Sequence, residues 1–183
     1  MMTSDPRPSL VFGIVAATGT HLDPFVDVFS ALLHKYGYEP VSIRLTELLV
    51  DHAIEPGSLR WHDEGERIQE LMDAGDLLRE ELDRGDAMAL LGALGVASKR
   101  RDLGQAKPCA FLVRQLKHPE EVSTLRRIYG DRLFVLALYS TYSERLRRLT
   151  GLRNIRPDVA RDLMRRDEED VRQLGTVRLD PDF

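Results

Sequence analysis

Four short stretches of the chain are rich in β-branched and aromatic residues and bounded by turn formers: Leu10 to Ala16, Pro40 to Leu45, Cys109 to Arg114 and Leu133 to Tyr139. Each predicts a strand. Three are nearly continuous apolar runs, the pattern of strands covered on both faces in a parallel sheet, whereas Val41-Ser42-Ile43-Arg44-Leu45 alternates and predicts a place near an edge. Between the strands the apolar period lengthens to that of a helix. Leu22, Phe25, Val26, Phe29, Leu32 and Leu33 share one helical face that stops at Gly37. A second helix carries Ile68, Leu71, Met72, Leu77, Leu78 and Leu82, and a third runs from Asp86 to about Lys99. Pro119 opens a fourth, which contains Val122, Leu125 and Ile128 and ends at Gly130. This alternation predicts an α/β fold, a three-layer α/β/α sandwich on a short, mostly parallel sheet.

After Tyr139 come Ser143 to Leu149, then Gly151 to Pro157, then a highly charged helix from Asp158 to about Gln173. Its few apolar residues, chiefly Val159, Leu163 and Val171, predict weak packing or a partner outside the chain. Residues 1–9 are expected to be a disordered tail, 10–156 one ligand-binding domain and 157–183 a charged helix and tail; Gly175 to Phe183 has no strong pattern.

Composition narrows the classes. At 183 residues, 43% hydrophobic and 31% charged, the chain suits one globular domain. A net charge of -4 argues against binding nucleic-acid backbones, which needs a concentrated basic surface. Cys109 is the sole cysteine, so there is no disulfide framework and no zinc site of paired thiolates, and a reducing, cytoplasmic setting is expected. No apolar run approaches the roughly 20 residues of a membrane span, and Met1 to Ser9 lacks a signal core.

Chemistry concentrates first at Leu10 to His21, where a strand passes through the small residues Ala16, Ala17, Thr18, Gly19 and Thr20, then His21, into a helix. Such a junction brings backbone N–H groups and a positive helix end to one point, which suits a phosphate. It has the position of a P-loop without its pattern: Gly13 and Gly19 stand one residue too far apart, and no Lys follows Gly19. Phosphate binding is therefore favoured over phosphoryl transfer, and a plain tight turn is the alternative. Gly75, inside a helical pattern, marks a break or a close approach, with Arg79 and Asp86 flanking the gap to the next helix, although the spacing alone favours an exposed charged surface. Arg114 ends a buried strand on the carboxyl edge where open α/β sheets bind ligands, and is expected to meet a ligand or a carboxylate. Arg145, in Glu144-Arg145-Leu146-Arg147-Arg148-Leu149, suits a lid over phosphates; a solvated face is its alternative. The H-x-E triplets at His62 and His118 lack the P-C-x-x-C that a zinc deaminase needs, since Pro108-Cys109 has no second Cys after it.

Taken together, Gly13 through Leu22, Leu71-Met72-Asp73-Ala74-Gly75-Asp76-Leu77-Leu78-Arg79 with Gly85-Asp86-Ala87, Arg114 through Val122, and Leu125 through Gly130 resemble the amino-terminal half of the bacterial anti-phage deoxycytidylate deaminases. The resemblance spans about Leu10 to Asp170 and implies a P-loop NTPase, nucleotide-kinase-like domain. In the family this domain precedes a zinc-dependent deaminase domain, and Arg165-Arg166-Asp167-Glu168-Glu169 is similar to the link between them. The deaminase half is not present in these residues. A more distant similarity to deoxynucleoside monophosphate kinases implies nucleotide contacts from the Arg79 and Asp86 region. It also implies a carboxylate two residues before the strand-end arginine, where this chain has Leu112.

The expectation is a regulatory, deoxynucleotide-sensing domain without deaminase activity. Ala16, Ala17, Thr18, Gly19, Thr20 and His21 would cradle phosphate, Arg79 and Asp86 would hold the nucleotide, and Arg114 and Arg145 would complete the pocket. The expected ligand is a deoxynucleotide or ATP with Mg²⁺, without zinc. Expected partners are a deaminase domain or a second copy, not nucleic acid or membrane. An active deoxynucleoside monophosphate kinase with a variant P-loop, and an interaction module with a vestigial site, are the rivals.

Overall fold

The computed structural model describes residues 7–52, 61–103 and 107–173. Four strands, β1 (Leu10–Ala16), β2 (Glu39–Arg44), β3 (Cys109–Leu116) and β4 (Leu133–Leu138), pair entirely in parallel in the order β2-β3-β1-β4. Seven α-helices are described: α1 (Leu22–Lys35), α2 (Leu45–His52), α3 (Glu64–Leu82), α4 (Ala87–Leu103), α5 (Pro119–Tyr129), α6 (Tyr142–Arg147) and α7 (Pro157–Gln173). One turn of π-helix, Arg148–Leu152, follows α6.

The two-residue alternation of the strands splits the core. Phe12, Ile14, Ala110 and Leu112 pack with Val26 and Leu33 of α1 on one face. Val11, Ile43, Phe111 and Val113 pack on the other with Leu45, Leu49, Met88, Val96 and Leu125 from α2, α4 and α5. The result is the expected three-layer sandwich, consistent with the P-loop kinase-like class. Because the helices after β1 and β3 cover opposite faces, the crevice beyond the carboxyl ends of these adjacent strands is the topological switch point of the sheet.

Several expectations change. Leu45 does not close β2 but opens α2, an element the periodicity did not predict, in which Leu45 and Leu49 are both fully buried one turn apart. The apolar run of β4 lies at an edge rather than inside the sheet, and Phe134 there is 46% exposed. Gly13 sits within β1, opposite Val113, and takes no part in the turn. Gly75 does not break α3, which runs on to Leu82 and ends at Asp83 in the left-handed region.

The charged final helix packs firmly within the chain, against expectation. Ala160, Leu163, Met164 and Asp167 are all buried, at the i, i+3, i+4, i+7 spacing of one helical stripe, and the apolar three join Leu149, Ile155, Ile68 and Met72 in a third core. Arg165 to Glu169, expected to act as an interdomain link, forms part of this docked helix. The tail beyond 173 and residues 1–6 lie outside the described residues.

Candidate functional site

The switch-point crevice is a cleft of ≈ 330 Å³. Ala16, Ala17, Thr18, Gly19 and Thr20 form its floor, with Arg79, Arg114, Gln115 and Lys117 among the other lining residues. The Thr20 amide donates to the Ala17 carbonyl at 3.0 Å and Gly19 has φ 89°, so the floor is a tight turn of the kind that demands positive φ at its third residue. A Cβ on Gly19 would stand 3.0 Å from both Cβ and the carbonyl oxygen of Arg145. Glycine is therefore required here by backbone conformation and close approach together.

At the end of β3 the register against β1 shifts between Ile14 and Val15, and Gln115 adopts φ 77°, a left-handed conformation held by a hydrogen bond from the Thr46 hydroxyl at 3.0 Å. The bulge re-aims the strand end, and Lys117 reaches back over the turn. Its Nζ lies 3.0 Å from the Ala16 carbonyl and 3.4 Å from Thr18 Oγ1. A cation thus reaches the turn from β3, although none follows Gly19 in sequence.

The cleft's charge differs in sign from that of the chain. Its lining cations are Arg44, Arg67, Arg79, Arg114, Lys117, Arg148 and Arg153, against the carboxylates of Asp23, Glu47, Asp76 and Asp167. Asp23 accepts a hydrogen bond from Arg114 at 2.7 Å, with Arg148 at 3.8 Å and Arg44 at 3.9 Å. The Arg114 bond is the main cause of its carboxyl lying below the usual range, and burial opposes it. One carboxylate therefore faces three guanidiniums. Arg148 bears the consequence: burial, then repulsion from Arg153, lowers its pKa, partly offset by Asp23. Among the described residues, Arg148 Nη1, Arg114 Nε and Thr20 Oγ1 are buried without a hydrogen-bond partner, and Arg114 is only 7% exposed. Buried donors of this kind are costly unless a ligand or water meets them.

On the cleft's opposite wall Arg79 is paired with carboxylates, although its Nε too is buried without a hydrogen-bond partner among the described residues. Arg79 donates to Asp76 at 2.9 Å and to Glu121 at 3.1 Å. Glu121, fully buried, also accepts the Lys117 and His118 amides at 2.7 and 3.1 Å, tying α3 to the β3–α5 connection.

Of the expected site residues, Ala16 to Thr20, Arg79 and Arg114 come together in the cleft. His21 is exposed at the start of α1, outside the lining. Arg145 lies beneath the turn, donating to the Thr18 carbonyl at 3.4 Å and to Glu168 at 2.6 Å, so it supports the turn rather than facing the cleft. Asp86 leaves the cleft altogether. It accepts from Arg84 at 2.8 and 3.0 Å and from the Thr124 hydroxyl in a separate shallow pocket, and these bonds hold its carboxyl well below the usual range. Leu112 is buried in the α1-side core, and the carboxylate beside Arg114 comes from Asp23. Sequence reasoning missed Asp23, which an acid in a first helical turn conceals, because the helix dipole favours one there anyway. It also missed Asp167, for which the apolar stripe Ala160, Leu163, Met164 was the available signal.

Among the described residues no group of three or more His, Cys, Asp or Glu is arranged to hold a metal ion, and no helix is long and apolar enough to cross a membrane.

The fold and site together define a parallel α/β sandwich with a cationic cleft at its switch point. No family model matches the chain, and no curated protein matches it. Among solved structures, an uncharacterized protein from Eubacterium ventriosum is similar with a TM-score of 0.44 and 12% identity, over 88% of this chain and 75% of that one. TT1252 from Thermus thermophilus is similar with a TM-score of 0.46 and 17% identity, over 92% of this chain and 86% of that one. Likeness at this level carries no inference about ligand or activity, and neither comparison supports an association with phage defence or a deaminase.

Proposed function

We propose that the chain is a nucleotide-binding domain whose cleft takes the phosphates of a deoxynucleotide, in a sensing rather than a catalytic role. The carrying observation is the cation excess around Asp23, with Arg114 and Arg148 holding buried donor nitrogens that no described residue meets. A phosphate supplies the acceptors and the charge that this cluster lacks. The turn of Ala17 to Thr20 at the start of α1 adds the favourable end of a helix dipole. The preference for a deoxynucleotide comes from the family resemblance, which also supplies the regulatory role beside a deaminase.

A kinase reading has one observation in its favour, the Lys117 ammonium beside the turn. It predicts ATP- and Mg²⁺-dependent phosphorylation of a deoxynucleoside monophosphate, lost in Lys117→Ala.

The test is a thermal-shift titration with dCTP, dCMP, dTTP, ATP and GTP, with and without Mg²⁺. A ligand that binds only the folded state raises stability by RT ln(1 + [L]/Kd). A saturable shift with deoxynucleotides, reduced in Arg148→Met, is expected. No shift with any of the five removes the reading.

A further inference from the structure

Asp167 is set against the turn between β1 and α1. It is 4% exposed; one of its oxygens accepts the Thr18 amide at 2.8 Å, and the other accepts the Thr18 hydroxyl at 2.9 Å and the Lys117 ammonium. An amide, a hydroxyl and an ammonium converging on two oxygens of one anion form a phosphate-type donor set, here satisfied from within the chain. Asp167 also takes the position in the α7 stripe that an apolar residue would fill to pack the helix. An acid is tolerated there only because these donors repay its desolvation.

We propose that Asp167 is a built-in occupant of this anion position, and that a terminal phosphate enters by displacing it, so that ligand binding and docking of the 166–169 turn of α7 exclude one another. The proposal rests on the nucleotide reading above and adds a regulatory element to it.

The surroundings suit a reversible latch. Arg166 pairs with Asp73 and Asp76 of α3, Glu168 pairs with Arg145 of α6 beneath the turn, and Asp167 pairs with Lys117, so this part of α7 is held by ion pairs to two helices and the β3–α5 connection. One turn earlier, Leu163 and Met164 hold the helix through apolar burial that a ligand does not touch. A phosphate carries more charge than a carboxylate and competes for the same donors. Once Asp167 is expelled, its burial is no longer repaid, and the turn that bears it leaves the cleft. Occupancy of the cleft is thereby converted into exposure of the end of α7.

The experiment measures binding of ATP and of tripolyphosphate to the full chain as wild type, Asp167→Asn and Glu169→Gln, at one salt concentration. Glu169→Gln removes the same charge from the same helix, at a side chain that among the described residues pairs with Arg165 on the surface. Asp167→Asn is expected to bind both probes about tenfold tighter or more, because the competing state is removed. Glu169→Gln should stay within about twofold of wild type. Equal or weaker binding by Asp167→Asn overturns the latch while leaving nucleotide binding intact. Failure of all three proteins to bind either probe overturns both. Hydrogen exchange on the wild-type chain decides independently of whether the variant folds: tripolyphosphate should speed exchange at 165–169, and slower exchange there overturns the proposal.

Discussion

Two arginine–carboxylate clusters, one at the α3–α4 corner and one in the cleft, differ in how completely they are satisfied. At the α3–α4 corner, Arg84 and Thr124 between them engage both oxygens of Asp86. At the cleft, Asp23 faces Arg114, Arg148 and Arg44, the last of which also pairs with Glu47 at 2.9 Å, and buried nitrogens of Arg114 and Arg148 meet no described acceptor. A saturated cluster has nothing left to offer a ligand and serves the fold. An unsaturated one is kept at a cost to stability, a cost that the proposed ligand would offset. Arg79 and Asp86 look equivalent in sequence, yet only the first reaches the cleft.

The largest expected effect lies on the cleft wall opposite Asp23. Glu121→Ala removes a fully buried carboxylate and strands Arg79 with the Lys117 and His118 amides, so urea denaturation should show a loss of about 3–5 kcal/mol. Next, Asp86→Asn should cost about 1–3 kcal/mol of stability and leave nucleotide affinity unchanged. Arg148→Met should do the reverse, lowering affinity about tenfold or more while stability holds or rises by up to about 1 kcal/mol, because a poorly neutralised buried cation has gone. Parallel denaturation and titration of these two variants tests the contrast directly. If Asp86→Asn weakened binding and Arg148→Met did not, the division between the clusters would be reversed.

The smallest effect is in acid. Asp86, Asp23 and Asp167 all have carboxyls below their ordinary range; for Asp86 the first cause is Arg84, for Asp23 it is Arg114, and for Asp167 burial pulls upward but is outweighed by Lys117 and Thr18. A carboxyl whose folded value is depressed contributes stability that is full above its unfolded value, about 3.9, and is lost as pH falls through the folded one. Urea midpoints should therefore fall as pH drops from 5 to 3. Asp86→Asn should flatten the slope.

Local pattern alone determined much of this protein. The four strands followed from β-branched runs between turn formers, with bounds met at β1 and shifted by one or two residues at one or both ends of the others, α1 and α5 followed from their apolar faces and terminal glycines, and the tight turn from small residues between a strand and a helix. These are properties of neighbours in sequence, so the chain states them directly. Only the tertiary structure decided which charges meet. Lys117 reaches the turn because a bulge at Gln115 re-aims the end of β3, and Asp23 meets Arg114 because β1 and β3 are adjacent in the sheet. Asp167 lies 149 positions from Thr18 and is delivered by the packing of α7. Whether a charged side chain is solvated, paired or left for a ligand depends on desolvation and on partners distant in sequence, and no local pattern encodes either.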